Sequence, residues 1–229
     1  MSIPTPDFDS LARLYRWLEY FSFGPLLQNA RCDYLEEASR RKSALILGDG
    51  DGRFTARLLQ ANSTARVHAV DASLAMLATL ARNCKQNSSH LTTEQADLRH
   101  WSPQPGARFD LIVTHFFLDC LTTVEIATLA SRIFPALQPG ALWLVSDFAI
   151  PKTAFGRFIA TPLVRFLYVA FYLLTGLTVN RLPNHELALS ESGWGILTSH
   201  KRFFGLLISE LWLLQQNNPG VPSENVHTG

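Results

Sequence analysis

An excess of charge of either sign is what this sequence lacks most. Its 20 Lys and Arg are balanced by 19 Asp and Glu over 229 residues, a net charge of +1 with histidine neutral. Without a strongly basic field to hold a polyanion, nucleic-acid binding is disfavoured as the main task. Cysteine is scarce as well. Cys32, Cys84 and Cys120 are odd in number and form no CxxC pair. That argues against a disulfide framework or a structural zinc site, and for a reducing, cytoplasmic setting with no bound metal. The opening MSIPTPDFDSLARLYRW has no basic stretch followed by an apolar run, so no secretory signal is expected. Internal repeats and low-complexity linkers are missing too. What remains is a chain that is 47% hydrophobic, enough to fill a substantial core and to exclude wholesale disorder. The length suits one domain with an elaborated lid.

Hydrophobic periodicity gives the order of elements. Leu11, Leu14, Tyr15 and Leu18 recur at helical spacing. Gly24 breaks that run, and Pro25 is well placed to open a second helix carrying Leu26, Leu27, Ala30, Tyr34 and Leu35. The centre then alternates. Strands are expected at Ser43–Leu47, Ala65–Val70, just before Asp97, Asp110–Thr114 and Ala141–Phe148. Helices are expected at Phe54–Leu59, Ala75–Asn83 and about Val124–Leu137, with a turn at Pro139-Gly140. This order implies an α/β fold, a doubly wound Rossmann-like sheet, mostly parallel, with helices on both faces. Asn184 can cap a short helix ending at Gly193. The runs Trp194–Phe203 and Leu206–Leu213 reverse at Gly205, an antiparallel hairpin closing the sheet. The expected organisation is a helical cap (1–42), a core (43–148), inserted lid helices (149–183), a last helix and hairpin (184–214) and a polar, frayed tail (215–229).

The strongest local signal is Leu45-Ile46-Leu47-Gly48-Asp49-Gly50-Asp51-Gly52-Arg53-Phe54. A buried strand ends in three alternate glycines, and a helix follows. Such a turn lets a ligand approach the backbone, next to the unpaired N–H groups of a helix start. Asp71 closes the second strand, 19 residues after Gly52, where a carboxylate can accept hydrogen bonds from both hydroxyls of a ribose. Together these features indicate a nucleoside ligand. A dinucleotide fingerprint would need its third glycine at position 53, which is Arg53. Asp49 and Asp51 between the glycines would repel a pyrophosphate but suit an ammonium and a sulfonium.

On these residues the sequence resembles the class I S-adenosylmethionine-dependent methyltransferases, from about Ser43 to Phe148 and, by order of elements, through the hairpin. More loosely, its layout is similar to small bacterial methyltransferases near the quinone-biosynthesis branch. The resemblance implies S-adenosylmethionine as cofactor and S-adenosylhomocysteine as product. It places Gly48, Asp49, Gly50 and Gly52 around the methionine part, Asp71 on the ribose, and Ala72, Ser73 and Met76 near the adenine. Asp97 and Leu98, in Ala96-Asp97-Leu98, fall where the family meets the adenine amino group. Thr114-His115-Phe116-Phe117-Leu118-Asp119 matches the segment between cofactor and acceptor, and Leu137–Ala141 the turn before the fifth strand. One departure is Ile46, where the family often has a loop-ordering acid; Asp49 or Asp51 is left to compensate.

Methyl transfer from a sulfonium is an in-line displacement, and a base is needed only where the acceptor must lose a proton. His115 and Asp119 are the catalytic candidates, with His185 and His200 further afield. The (N/D)PPY segment of base-methylating relatives is absent from His115–Leu118. Phe155–Leu177 is apolar apart from a stripe of Arg157, Thr161, Arg165, Tyr168, Tyr172 and Thr175, with Thr161-Pro162 as a fresh helical start. It reads as a lid over a hydrophobic acceptor with Arg165, Tyr168 or Tyr172 facing the pocket, as a contact with a membrane surface or second subunit, or as core covered by the N-terminal helices. Tyr15, Trp17 and Tyr20 would complete the lid. The expected activity is therefore methyl transfer to a small, partly hydrophobic acceptor, at oxygen or carbon in preference to nitrogen. Two competitors stand beside it. A nicotinamide-dependent reductase would need a Tyr-x-x-x-Lys pair, which does not occur; a non-catalytic nucleoside-binding or scaffold protein could share the fold.

Overall fold

The computed structural model describes residues 25–166, 168 and 181–215. The expected helix at Leu11–Leu18, with Tyr15, Trp17, Tyr20 and the later Tyr172, lies outside them, as does the tail. Two short helices come first, α1 (Pro25–Arg31) and α2 (Leu35–Ser39). The core follows as β1 (Ser43–Leu47), α3 (Arg53–Ala61), β2 (Arg66–Asp71), α4 (Leu74–Asn83), β3 (Leu91–Gln95), β4 (Phe109–His115), α5 (Thr123–Ile133) and β5 (Leu137–Phe148). A further helix, α6 (154–166), where lid helices were expected, precedes α7 (His185–Glu191), β6 (Trp194–Arg202) and β7 (Leu207–Leu214).

The seven strands lie in the order β3-β2-β1-β4-β5-β7-β6. β1 to β5 are parallel, and β7 pairs antiparallel with both β5 and β6. β1 is wholly buried because both sheet faces are covered. One face, with Leu45, Ile112, Trp143 and Trp212, packs on α5 and α7; the other, with Ile46, Leu111 and Leu144, packs on α3 and α2. A third cluster joins Leu27 and Ala30 of α1 to Phe116, to Ala160 and Val164 of α6, and to Tyr168, Leu206 and Leu207.

Several local expectations change. The single helix expected from Pro25 through Leu35 breaks after Arg31, because tertiary hydrogen bonds claim the joint. The Ala30 carbonyl accepts from Ser146 Oγ (3.1 Å) and Ser209 Oγ (2.8 Å) on the sheet. The Asp33 carboxylate accepts from Arg202 Nε at 3.0 Å. α5 stops at Ile133, short of Leu137, since Pro135 has no N–H to continue it. The Pro139-Gly140 turn is taken up as an irregularity within β5: register passes from Phe109↔Leu137 to Leu111↔Leu142, with Gly140 at φ 71°. Thr161-Pro162 does not start a new helix. α6 runs through it, after a wide π-type turn at Gly156–Ala160 in which Thr161 Oγ1 donates to the Gly156 carbonyl at 2.8 Å. The polar stripe also splits: Arg157 and Arg165 are exposed, whereas Tyr168 joins the buried row of Gly156, Ala160 and Val164.

Candidate active site

Parallel register brings the carboxyl ends of the central strands to one edge. Leu47 lies between Val70 and Thr114, so Gly48, Asp71 and His115 emerge side by side. Gly48 N donates to the Val70 carbonyl at 2.9 Å, and Ala96 N to the Asp71 carbonyl at 3.1 Å, which sets Asp97 just beyond. This is where open α/β sheets bind ligands.

The glycine turn is left-handed at all three positions, with φ of 70° at Gly48, 59° at Gly50 and 77° at Gly52. The three differ in what approaches them. A Cβ at Gly48 would lie 2.7 Å from Phe117 Cδ2, and one at Gly52 only 2.4 Å from Leu80 Cγ. Those two glycines are bare for the protein's own packing. Gly50 faces open space bounded by Met76 Sδ at 3.9 Å, so of the three it alone has room beside it that the protein's own side chains do not fill.

Ile46 is core, and the acid that orders the loop comes from within it. Asp49 Oδ2 accepts from Thr55 N (3.0 Å) and Thr55 Oγ1 (2.6 Å), tying the loop to the first turn of α3. Burial raises its pKa to about 6, against the lowering effect of the Thr55 bonds and the nearby Arg31 charge. Its other oxygen, Oδ1, is buried without a partner. Asp51 instead pairs with Arg53 Nε at 2.9 Å.

Asp71 is partly buried and accepts from Ser73 N at 2.9 Å, while the Ser73 hydroxyl caps α4 by accepting from Met76 N. Ala72 lies between them, partly buried. Asp97 shapes a turn, accepting from Arg99 N at 3.0 Å, and Leu98 packs into the core behind it.

His115 is buried against Phe54, with ring centroids 4.6 Å apart, and neither of its nitrogens has a partner. Burial first, then the Arg31 charge, pushes its pKa well down, so the imidazole is neutral. Arg31 is the one buried Lys or Arg among the described residues; it lies over the Phe116 ring, 5.1 Å from its centroid.

A second polar group sits on the other sheet face. Asp119 N donates to Asp147 Oδ2 at 3.1 Å, and the Asp119 carbonyl accepts from Tyr168 Oη at 2.9 Å. Burial raises the Asp119 pKa to about 6. Asp147 is raised further, by burial and then by the Asp119 charge. Beside them on β7, Glu210 Oε2 takes His185 Nε2 and Trp212 Nε1, both at 3.0 Å. His185, Glu186 and Glu210 could bring three ligand atoms within 4.8 Å of one another, but Glu186 is exposed and the Glu210 oxygen already holds two partners.

Of the sequence candidates, the glycines, Asp49, Asp71, Met76 and His115 gather at one edge, with Asp97 beside Asp71. Asp119 and His185 belong to the acid cluster. His200 lies apart, 3.4 Å from Asp33 and half-exposed. Arg165 is exposed rather than turned into the site, and Tyr168 is closed into the core with its hydroxyl on backbone. Sequence reasoning missed Arg31, Asp147 and Glu210. The last two had a signal, as lone acids inside otherwise apolar strands, ALWLVSDF and LISELWLL.

Residues 44–140 match the family model for a methyltransferase domain. A trans-aconitate 2-methyltransferase of Azoarcus sp. (strain BH72) is 32% identical over 126 residues, 54% of this chain and 47% of that protein. The chain thus spans about half the length of the curated relative it matches. Among solved structures, an O-methyltransferase family protein from Burkholderia thailandensis superposes with a TM-score of 0.66 at 13% identity, over 93% of this chain and 65% of that one. A DhpI–SAH complex gives 0.63 at 18% identity, over 91% and 95%. At such identities the solved structures establish the fold. The chain therefore has the fold of solved methyltransferases, and its residues 44–140 match a methyltransferase domain.

Proposed function

We propose that this protein transfers a methyl group from S-adenosylmethionine to a small, partly hydrophobic acceptor, at oxygen or carbon. The carrying observation is the set of orphaned polar atoms at the glycine turn: Asp49 Oδ1 and both His115 nitrogens, buried without partners beside the Arg31 charge. A buried unsatisfied polar atom costs roughly 1–3 kcal/mol, and the ammonium of an amino-acid zwitterion would supply the partner that Asp49 Oδ1 lacks. Asp49 would hold its ammonium and Arg31 its carboxylate. Asp71 would accept from the ribose hydroxyls, Asp97 from the adenine amino group, and Ala72, Met76 and Leu98 would flank the base. When bound, the sulfonium supplies an electrophilic methyl group.

The chain's own work is alignment and exclusion of water. On the acceptor side, burial and the Asp119 charge make Asp147 the harder of the two to ionise, so Asp119 would be the carboxylate that accepts a proton from an acceptor hydroxyl or carbon acid. Phe116, Val164, Tyr168 and Leu207 form an apolar cluster that ties the lid to the sheet. It suits a hydrophobic acceptor better than a tricarboxylate, for which several buried cations would be needed.

Titration calorimetry tests the reading. S-adenosylhomocysteine should bind at micromolar concentration and nicotinamide dinucleotides should not. Asp71→Ala should weaken S-adenosylhomocysteine by about 2 kcal/mol, roughly 30-fold. Nicotinamide binding alone would turn the assignment to a reductase. No nucleoside binding would leave a scaffold.

A further inference from the structure

Helix α6 carries apolar side chains on two opposite faces. Gly156, Ala160, Val164 and Tyr168 form its buried row. Phe158, Pro162 and Phe166 form another row, two residues or about 200° away, and all three are exposed. Phe158 stands 71% exposed. A surface helix normally presents polar residues there.

The apolar surface continues onto the β6–β7 turn. The ring of Phe155, at the start of α6, packs on Phe203 (5.8 Å between centroids) and Phe204 (5.2 Å). Both turn residues sit in the left-handed region, at φ 48° and 55°, and Phe204 is 77% exposed. Two bulky residues in a strained turn that presents an aromatic ring to water cost stability on both counts.

The two chain segments that form this surface are one-sided in charge, although the whole chain is nearly neutral. No Asp or Glu occurs between Asp147 and Glu186, a stretch holding Lys152, Arg157, Arg165 and Arg181. None occurs between Glu191 and Glu210, where Lys201 precedes the turn. Lys152, Arg157, Arg165 and Lys201 are all exposed. Exposed phenylalanines flanked by exposed Lys and Arg match an anionic bilayer surface: rings enter the acyl boundary and cations meet the headgroups. No helix of the described residues is long and apolar enough to cross a membrane.

We infer that the face made by Phe158, Phe166, Phe203 and Phe204, with Arg157 and Arg165, docks onto the surface of an anionic lipid bilayer. This stands independently of the methyl-transfer reading. The test is co-sedimentation of the full chain with vesicles of phosphatidylglycerol and phosphatidylcholine, against phosphatidylcholine alone. The wild type should pellet with the anionic vesicles at about 0.1 M salt and release as salt screens the cations. Phe158→Glu/Phe204→Glu should bind about tenfold more weakly or worse, while S-adenosylhomocysteine binding and Tm stay as in the wild type. The inference is overturned if the wild type stays in solution, or if the variant pellets equally. It also falls if the variant's Tm drops by several degrees, showing the patch is packed within the chain. A concentration-dependent dimer dispersed by the variant would make the face a subunit contact instead. Vesicle binding without S-adenosylhomocysteine binding would keep this inference and sink the other.

Discussion

Adding a single methyl group at Gly50 separates what the glycine turn does for the fold from what it does for a ligand. Gly50 has φ 59°, and a Cβ there meets only Met76 Sδ at 3.9 Å. For Gly50→Ala, the left-handed backbone costs roughly 1–2 kcal/mol, and the stiffer unfolded chain returns about 0.4–1 kcal/mol. The net loss is about 1 kcal/mol, or ~2–4 °C in Tm for a domain of this size. Gly52→Ala is a control of the opposite kind. Its Cβ would lie 2.4 Å from Leu80 Cγ and 2.9 Å from the Leu80 Cα, a backbone atom that cannot swing away. Overpacking adds about 1–3 kcal/mol to the same strain. Scanning fluorimetry should therefore show Gly52→Ala much the less stable. Calorimetry should show Gly50→Ala losing S-adenosylhomocysteine affinity about tenfold or more, because its methyl occupies space the protein leaves empty. If Gly50→Ala binds as tightly as the wild type, the open side of the turn is not where the cofactor lies.

The acid cluster and the lid give two more expectations. Asp119 has a folded pKa of about 6 against an ordinary 3.8, so the folded state holds its proton more tightly than the unfolded chain. Its presence costs no stability below pH 4, and the penalty grows as pH rises from about 4 to 6. Asp119→Asn should then be more stable than the wild type by up to ~3 kcal/mol at pH 7 and no more stable near pH 4, while transfer to a proton-bearing acceptor falls. Equal stability at both pH values would refute the buried-carboxylate account. Tyr168→Phe removes only the bond to the Asp119 carbonyl; acceptor turnover should fall with S-adenosylhomocysteine affinity unchanged, and unchanged turnover would show that the tie has no part in acceptor handling.

The sheet was readable in sequence because its signals are local. Wholly apolar strands such as Ser43–Leu47 alternate with amphipathic helices, and Gly48, Gly50 and Gly52 end the first strand where only a left-handed turn fits. Asn184 and Gly205 marked a cap and a reversal for the same reason. The break after Arg31 was not readable, since Ser146 and Ser209, more than a hundred residues away, claim the Ala30 carbonyl. Neither was the split of the lid's polar stripe, because which face of an apolar helix is buried depends on what packs against it.

The amino-acid order by itself determined the alternation of elements, the tight first turn and the carboxylates closing the second and third strands. Each of these depends on a few neighbouring residues. Tertiary structure alone decided that the Arg31 charge is felt by Asp49 and His115, that Asp49 braces the loop in place of an acid at position 46, and that the Asp119 charge is felt by Asp147. Burial and charge–charge contact set the chemistry of those groups, and both arise only when distant segments meet.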